Sequence, residues 1–319
     1  MKQYTTTTIA ALLVLAAFYT GCTKPASKKT TCTSTWHAYS TPLAGIYFSA
    51  SHYGIINQST GSISSFGTFT SNPYFTRQGA YNSTDHSYYL LQNDTLFKMD
   101  ASGTVMTYAP ADTSHHCASV LYNAFDHLLY CQMRSGSTST LSKISMSAGF
   151  YSTTLVVTPA HNLSNQLYSP SNIAVDNTTG DMYLLSNVLS TCYVEKFQLG
   201  ATSTSVVASA TLPYPILEMR YDHNDSKLYA ITLNADTATF SFLKIDPSAG
   251  SISHVANIDS FINVDFYSAS FDACSNHYVI STTSSGIFTY RLFELDLTGN
   301  VVHTDTIASM YQGLTIVNY

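Results

Sequence analysis

Charge is scarce in this chain. Of 319 residues, 13 Lys and Arg plus 19 Asp and Glu make 32, or 10%, against about 25% in ordinary soluble domains. Glutamate is scarcer still, with Glu195, Glu218 and Glu294 the only three. Exposed helix faces are normally filled with Glu, Lys and Arg, so a helical fold is the first to be excluded. A nucleic-acid partner is excluded next, because neutralising phosphates takes clustered Lys and Arg and the net charge here is −6. The G-x-S-x-G elbow, the H-E-x-x-H helix and the P-loop are also missing. Ser, Thr and aromatics replace charge, with 24 Tyr and 16 Phe. Such side chains pack well on half-buried pleated strands, and the composition predicts an all-β fold.

Long hydrophobic runs are lacking too. The apolar stretch Ile9 to Phe18 is shorter than the roughly 20 residues that a membrane helix needs. Preceded by Lys2 and a polar run, it reads as the core of an export signal over residues 1–22. The signal ends in Gly21-Cys22, a small residue before a Cys, which resembles the lipobox of bacterial lipoproteins. That resemblance implies lipid on the Cys22 thiol, membrane attachment through it, and an extracytoplasmic place in a bacterial cell envelope. The alternative is an ordinary secretory signal in which Cys22 is incidental. Residues 23–39 then read as a flexible tether, whose segment Thr23 to Thr35 has an r.m.s. span of roughly 20 Å. Lys2, Lys24, Lys28 and Lys29 belong to this leader, which leaves 13 − 4 = 9 cations against 19 acids, a balance of −10. Attachment would therefore come from acyl chains and not from attraction to anionic lipid.

The cysteines form no C-x-x-C pair, so a zinc ribbon or redox motif is not expected. Spacing alone assigns no disulfide among Cys32, Cys117, Cys131, Cys192 and Cys274. Cys117 with Cys131 is the one pair to consider, and small buried hydrophobes are the alternative.

The rest of the chain repeats. An Asp or Asn closes an apolar segment at Asn82, Asn123, Asp176, Asp222, Asp272 and Asn318, with intervals of 41, 53, 46, 50 and 46 residues. About seven residues later comes a tyrosine, at Tyr89, Tyr130, Tyr183, Tyr229 and Tyr278, with Tyr47 as the sixth. Lys98, Lys143, Lys196 and Lys244 form a third column, in which Glu294 substitutes. Glycines follow at Gly61, Gly103, Gly149, Gly200, Gly250 and Gly299, where a tight hairpin calls for positive φ. A period near 47 residues matches a four-stranded propeller blade. The C-terminus holds only a first strand, Gly313 to Asn318, and Gly45–Phe48, Tyr53–Asn57 and Ser62–Phe69 supply the other three. Residues 40–319 are thus expected to be an all-β, six-bladed β-propeller closed by pairing its two ends. A seventh blade within the 53-residue interval is the alternative.

These repeats resemble propellers of the YVTN, NHL and low-density-lipoprotein-receptor type, whose hairpins read apolar-x-Ile-Asp-x-x-Thr-Gly. The signatures of WD and kelch repeats are missing, and the Trp-dependent motifs of sialidases and quinoprotein propellers are excluded because the only Trp, Trp36, falls in the tether. The loops entering each first strand are where a propeller places ligands, and they bring Arg77, His116, Tyr168, Asn172, Glu218, Arg220, Asp265 and Tyr311 toward one channel mouth. Glu218 and Arg220 lie two apart on a strand and share a side; they either meet an anion in the channel or pair within its wall. The gluconolactonase and regucalcin family is similar in blade number, and the resemblance implies a divalent cation on Asn172, Glu218 and Asp265. The expected function is a ligand- or protein-binding module, monomeric, without a cofactor and not an enzyme. A metal-dependent hydrolase or lactonase is the alternative.

Overall fold

The alternation of apolar and polar residues folds the described residues into 24 strands. In this computed structural model the described residues are 32–41, 49–71, 79–92, 94–114, 116–135, 138–161, 173–188, 190–234, 239–258, 264–284, 289–308 and 310–318. Strands β1 (Ser34–Thr41), β2 (Ser49–Ile56) and β3 (Ile63–Ser71) form a sheet with the last strand, β24 (Met310–Asn318), in the order β24-β1-β2-β3. Next come two antiparallel meanders, β4 (Gly79–Asn82), β5 (Ser87–Gln92), β6 (Thr95–Met99) and β7 (Val105–Pro110), then β8 (His116–Asn123), β9 (Leu128–Ser135), β10 (Thr138–Ser147) and β11 (Phe150–Val157). A short parallel pairing of β7 with β11 joins these two into one eight-stranded sheet. Three separate meanders follow. They are β12 (Ile173–Val175), β13 (Met182–Val188), β14 (Thr191–Phe197) and β15 (Ser205–Thr211); β16 (Ile216–Asp222), β17 (Lys227–Asn234), β18 (Thr239–Asp246) and β19 (Ser251–Ile258); and β20 (Val264–Asp272), β21 (His277–Ser284), β22 (Thr289–Leu295) and β23 (Val301–Ile307).

The first strands of successive meanders lie side by side, β4 by β8, then β12, β16, β20, β24 and β4 again. That adjacency closes a ring, and the hairpins after these strands lock it sheet to sheet. Thr84 Oγ1 meets Tyr122 Oη at 3.0 Å and His127 Nδ1 at 3.1 Å. Asn123 Nδ2 donates to Gly180 O (3.1 Å), and Asn177 Oδ1 accepts the Ala124 N–H (3.1 Å). His223 Nδ1 sits 3.3 Å from Asp176 Oδ1. Asn224 Nδ2 donates to Ala273 O (3.0 Å) and Asn276 Oδ1 (2.7 Å). Finally Ser34 Oγ and Trp36 Nε1 donate to Asp272 Oδ2 at 2.7 and 2.9 Å.

The closing sheet corrects three expectations. Its second strand is Ser34–Thr41, whereas the expected Gly45–Phe48 lies outside the described residues. Residues 34–39 are therefore strand, not tether, because Trp36 is 1% exposed and anchors them among Ile56, Val279, Tyr290, Leu292, Ile307, Tyr311 and Leu314. Ser34 pairs with Asn318 as Ser87 pairs with Asn82 and Lys227 with Asp222, so Trp36 takes the position of Tyr89 and Tyr229 that had been assigned to Tyr47. Tyr278 also departs from its column. It comes six residues after Asp272, not seven, and pairs with Leu295 while Val279 pairs with Glu294. One residue flips a side chain to the other face of a sheet, and Tyr278 packs on Phe242 with ring centroids 5.5 Å apart.

Cysteine chemistry differs as well. Cys32 and Cys274 are disulfide-bonded, whereas Cys117, Cys131 and Cys192 are free and buried. The considered Cys117–Cys131 bridge is not formed; Cys117 instead stands opposite Met133.

All six glycines of the hairpin column have left-handed φ, between 62° and 87°. At Gly200 an added Cβ would meet nothing within 4 Å, while at Gly299 it would lie 2.4 Å from the Ala256 Cβ. Gly200→Ala should lower stability by only the left-handed cost of about 1–2 kcal/mol. Gly299→Ala should lower it clearly further, read as urea midpoints of the two variants. Equal midpoints would contradict this packing of the hairpin against the neighbouring sheet.

Candidate functional site

Many of the polar side chains that repeat in the sequence hold hairpins. Asn82, Asn123, Asp176, Asp222 and Asp272 each accept the N–H two residues on, at 2.8–3.0 Å, which folds the turn after each first strand. A second acid in those turns braces the sheet. Asp85 Oδ2 accepts from Tyr89 Oη (3.3 Å) and Lys98 Nζ (2.6 Å). Asp225 Oδ2 does the same for Tyr229 Oη (2.9 Å) and Lys244 Nζ (2.8 Å). Each of these lysines also lies over its tyrosine ring, 5.6 and 5.4 Å from the centroid. Burial, reinforced by the Asp225 carboxylate, pushes the Tyr229 hydroxyl up to about 12. In β22 an acid stands in the Lys column, and His277 Nδ1 meets it, 2.7 Å from Glu294 Oε2.

Of the residues placed at the channel mouth, Arg77, Tyr168 and Asn172 lie outside the described residues, as does the side chain of Asp265. His116 is exposed, and its Nδ1 is 2.6 Å from Asp94 Oδ2. Tyr311 is not at the mouth in the sense expected. It is buried in the closing sheet's core, and its hydroxyl donates to Gly61 O at 2.6 Å.

Glu218 and Arg220 do share a side, and they bind one another within the wall. Glu218 is fully buried and accepts the Ala269 N–H at 3.1 Å, while Arg220 Nη2 donates to Ala269 O at 2.8 Å. The pair thus grips both polar groups of one residue in β20. These groups sit on the open edge of a strand, where backbone donors and acceptors need partners. Ser268 and Ser270 serve the next junction, accepting from the Leu314 and Ile316 N–H groups at 2.9 and 3.1 Å. A cation on Glu218 would have to displace Arg220.

Two larger concavities lie among the described residues. Gly79, Val175, Arg220, Ser270 and Thr315 help line a cavity of about 130 Å³ between the first strands. A second, of about 550 Å³, lies where β7 meets the β10–β11 hairpin at the middle of the eight-stranded sheet, between Val105–Tyr108 and Met146–Gly149. Met106 and Met146 line it and are exposed, as is Phe150 on β11, next to Gly149.

Sequence reasoning missed Glu195. It is fully buried, and Oε2 accepts the Ala160 N–H (2.9 Å) and the Thr204 hydroxyl. Its Oε1 accepts the His161 N–H and faces His161 Nδ1, both at 2.8 Å. His161 in turn stacks on Tyr193, centroids 3.8 Å apart and 8° from parallel. Only the rarity of glutamate singled this residue out, because its partners lie in a connecting segment 34 and 35 residues away.

No family model matches the sequence, and no curated protein does either. Solved structures do. A chain of the nidogen/laminin complex superposes with a TM-score of 0.63 at 10% identity, covering 89% of this chain and 98% of that one. A candidate TolB protein from Agrobacterium tumefaciens gives 0.56 at 8%, covering 90% and 99%. A candidate 6-phosphogluconolactonase from Bacteroides fragilis gives 0.55 at 10%, covering 92% and 100%. The structural neighbours are β-propeller proteins, and at such identities the likeness establishes a propeller-like fold alone.

Burial by itself would raise the Glu195 carboxyl, but its hydrogen bonds to Thr204, Ala160 and His161 outweigh burial and hold it below the ordinary range. The stability it contributes is therefore complete above the unfolded glutamate value of about 4.3 and is lost as pH falls below that. Glu195→Gln should cost about 1–3 kcal/mol at pH 7 and make the acid loss of stability shallower, measured by urea unfolding between pH 3 and 7. An unchanged acid slope would contradict this assignment.

Proposed function

We propose that the chain is a six-bladed β-propeller, anchored outside a bacterial membrane by lipid on Cys22, that serves as a ligand- or protein-binding module. Support for the blade count comes from the ring of six first strands. The eight-stranded sheet counts as two blades whose last strands touch along β7 and β11.

The observation that carries binding over catalysis is the engagement of the glutamates. Glu218 is held by Arg220 and Ala269, Glu195 by Thr204 and the 160–161 segment, and Glu294 by His277. Among the described residues no three His, Cys, Asp or Glu side chains gather around a point, which is the least that a catalytic divalent cation requires. The exposed apolar side chains of Met106 and Met146, by contrast, line the groove beside the β7–β11 pairing.

Two measurements test this reading. Bacteria expressing the chain and fed an alkyne fatty acid should label it and hold it in membranes, and Cys22→Ala should abolish both. A labelled Cys22→Ala chain would overturn the anchor. The purified chain should hydrolyse neither γ- nor δ-lactones above the spontaneous rate with Ca²⁺, Mg²⁺, Mn²⁺ or Zn²⁺. Turnover that disappears in Glu218→Gln would establish the metal-dependent hydrolase instead.

A further inference from the structure

Three sulfur-bearing side chains share one face of the β8–β9 pair and one buried cluster. Cys117 stands opposite Met133 in the antiparallel register, and Cys117 Sγ is 3.4 Å from Met133 Sδ. Cys131 precedes Met133 by two residues on β9, so both side chains point to the same face. All three belong to a single buried cluster with Val120, Tyr122 and Tyr151. None is more than 7% exposed. Both thiols are free, in a chain that forms a disulfide at Cys32 and Cys274.

We propose that Cys117, Cys131 and Met133 form a binding site for a soft monovalent cation, Cu(I), held by sulfur alone. Thiolate and thioether ligands favour Cu(I) over harder cations. A structural zinc site takes four ligands, with nitrogen or oxygen alongside sulfur in many of them, and no third His, Cys, Asp or Glu joins the two cysteines among the described residues. Cys117 also follows the exposed His116 directly and so lies one residue inside the end of β8. This site is independent of the binding role proposed above, since it lies within the core of a sheet and not on its surface.

The full chain, purified anaerobically without added thiol, should remove one equivalent of Cu(I) from bathocuproine disulfonate. X-ray absorption of that complex should show three sulfur neighbours and no nitrogen or oxygen. Cys131→Ala should lose the copper, Met133→Leu should retain two sulfurs and bind more weakly, and Cys192→Ala should behave as the unaltered chain. The absorption measurement needs no variant, so a poorly folding substitution leaves the test intact. Failure to compete for copper, a nitrogen or oxygen neighbour, or equal binding by folded Cys131→Ala would each overturn the proposal. So would a Cys117–Cys131 disulfide, seen as the loss of two hydrogens in the tryptic peptide spanning residues 99–134.

Discussion

The fold depends on one join that no short loop makes, the pairing of β24 with β1. Asp272 sits beneath that seam. Its carboxylate accepts from Ser34 and Trp36 across separations of 238 and 236 residues, and from the Cys274 N–H of its own turn. Closing a loop of that length costs roughly 5 kcal/mol in chain entropy. The backbone ladder from Ser34–Asn318 to Thr41–Met310 and the buried Trp36 ring must exceed that cost. Without the seam β24 would present two open edges, and every other sheet would keep its strands but lose the ring.

The scarcity of charge follows from the same architecture. Sheets that pack on both faces have little use for long charged side chains. Those present are placed where a hairpin or a strand edge needs a partner. Lys98 and Lys244 stand over tyrosine rings and reach a turn carboxylate, and the acid Glu294 stands in that column only where His277 meets it. Exposed pairs of this kind contribute little each, about 0–1 kcal/mol. Glu218–Arg220 differs, because breaking a buried pair costs about 3–5 kcal/mol and here would also release Ala269 of the neighbouring strand.

Much of this was legible in the sequence, and the rest was hidden for physical reasons. Turn residues are dictated locally, so the columns at Asn82 to Asp272 and Gly61 to Gly299 read directly from spacing. Strand β1 did not, since Ser34–Thr41 is as polar as a tether and is fixed by Trp36 reaching a distant Asp272. Tyr278 shows how little separates a column from its neighbour, as one residue of slip changes the face. Adjacency of Glu218 and Arg220 was visible, yet their hold on Ala269 was not, because it joins residues about 50 positions apart. Tyr311 was misplaced for the same reason, its partner Gly61 lying 250 residues away.

Because Trp36 is the only tryptophan and lies in the seam, its emission reports on ring closure alone, while far-ultraviolet dichroism reports on all the sheets. Both signals should follow urea with one midpoint, since sheets held by a closed ring unfold together. A Trp36 transition at clearly lower urea than the loss of strand would mean that the seam opens by itself and that the ring does not depend on it.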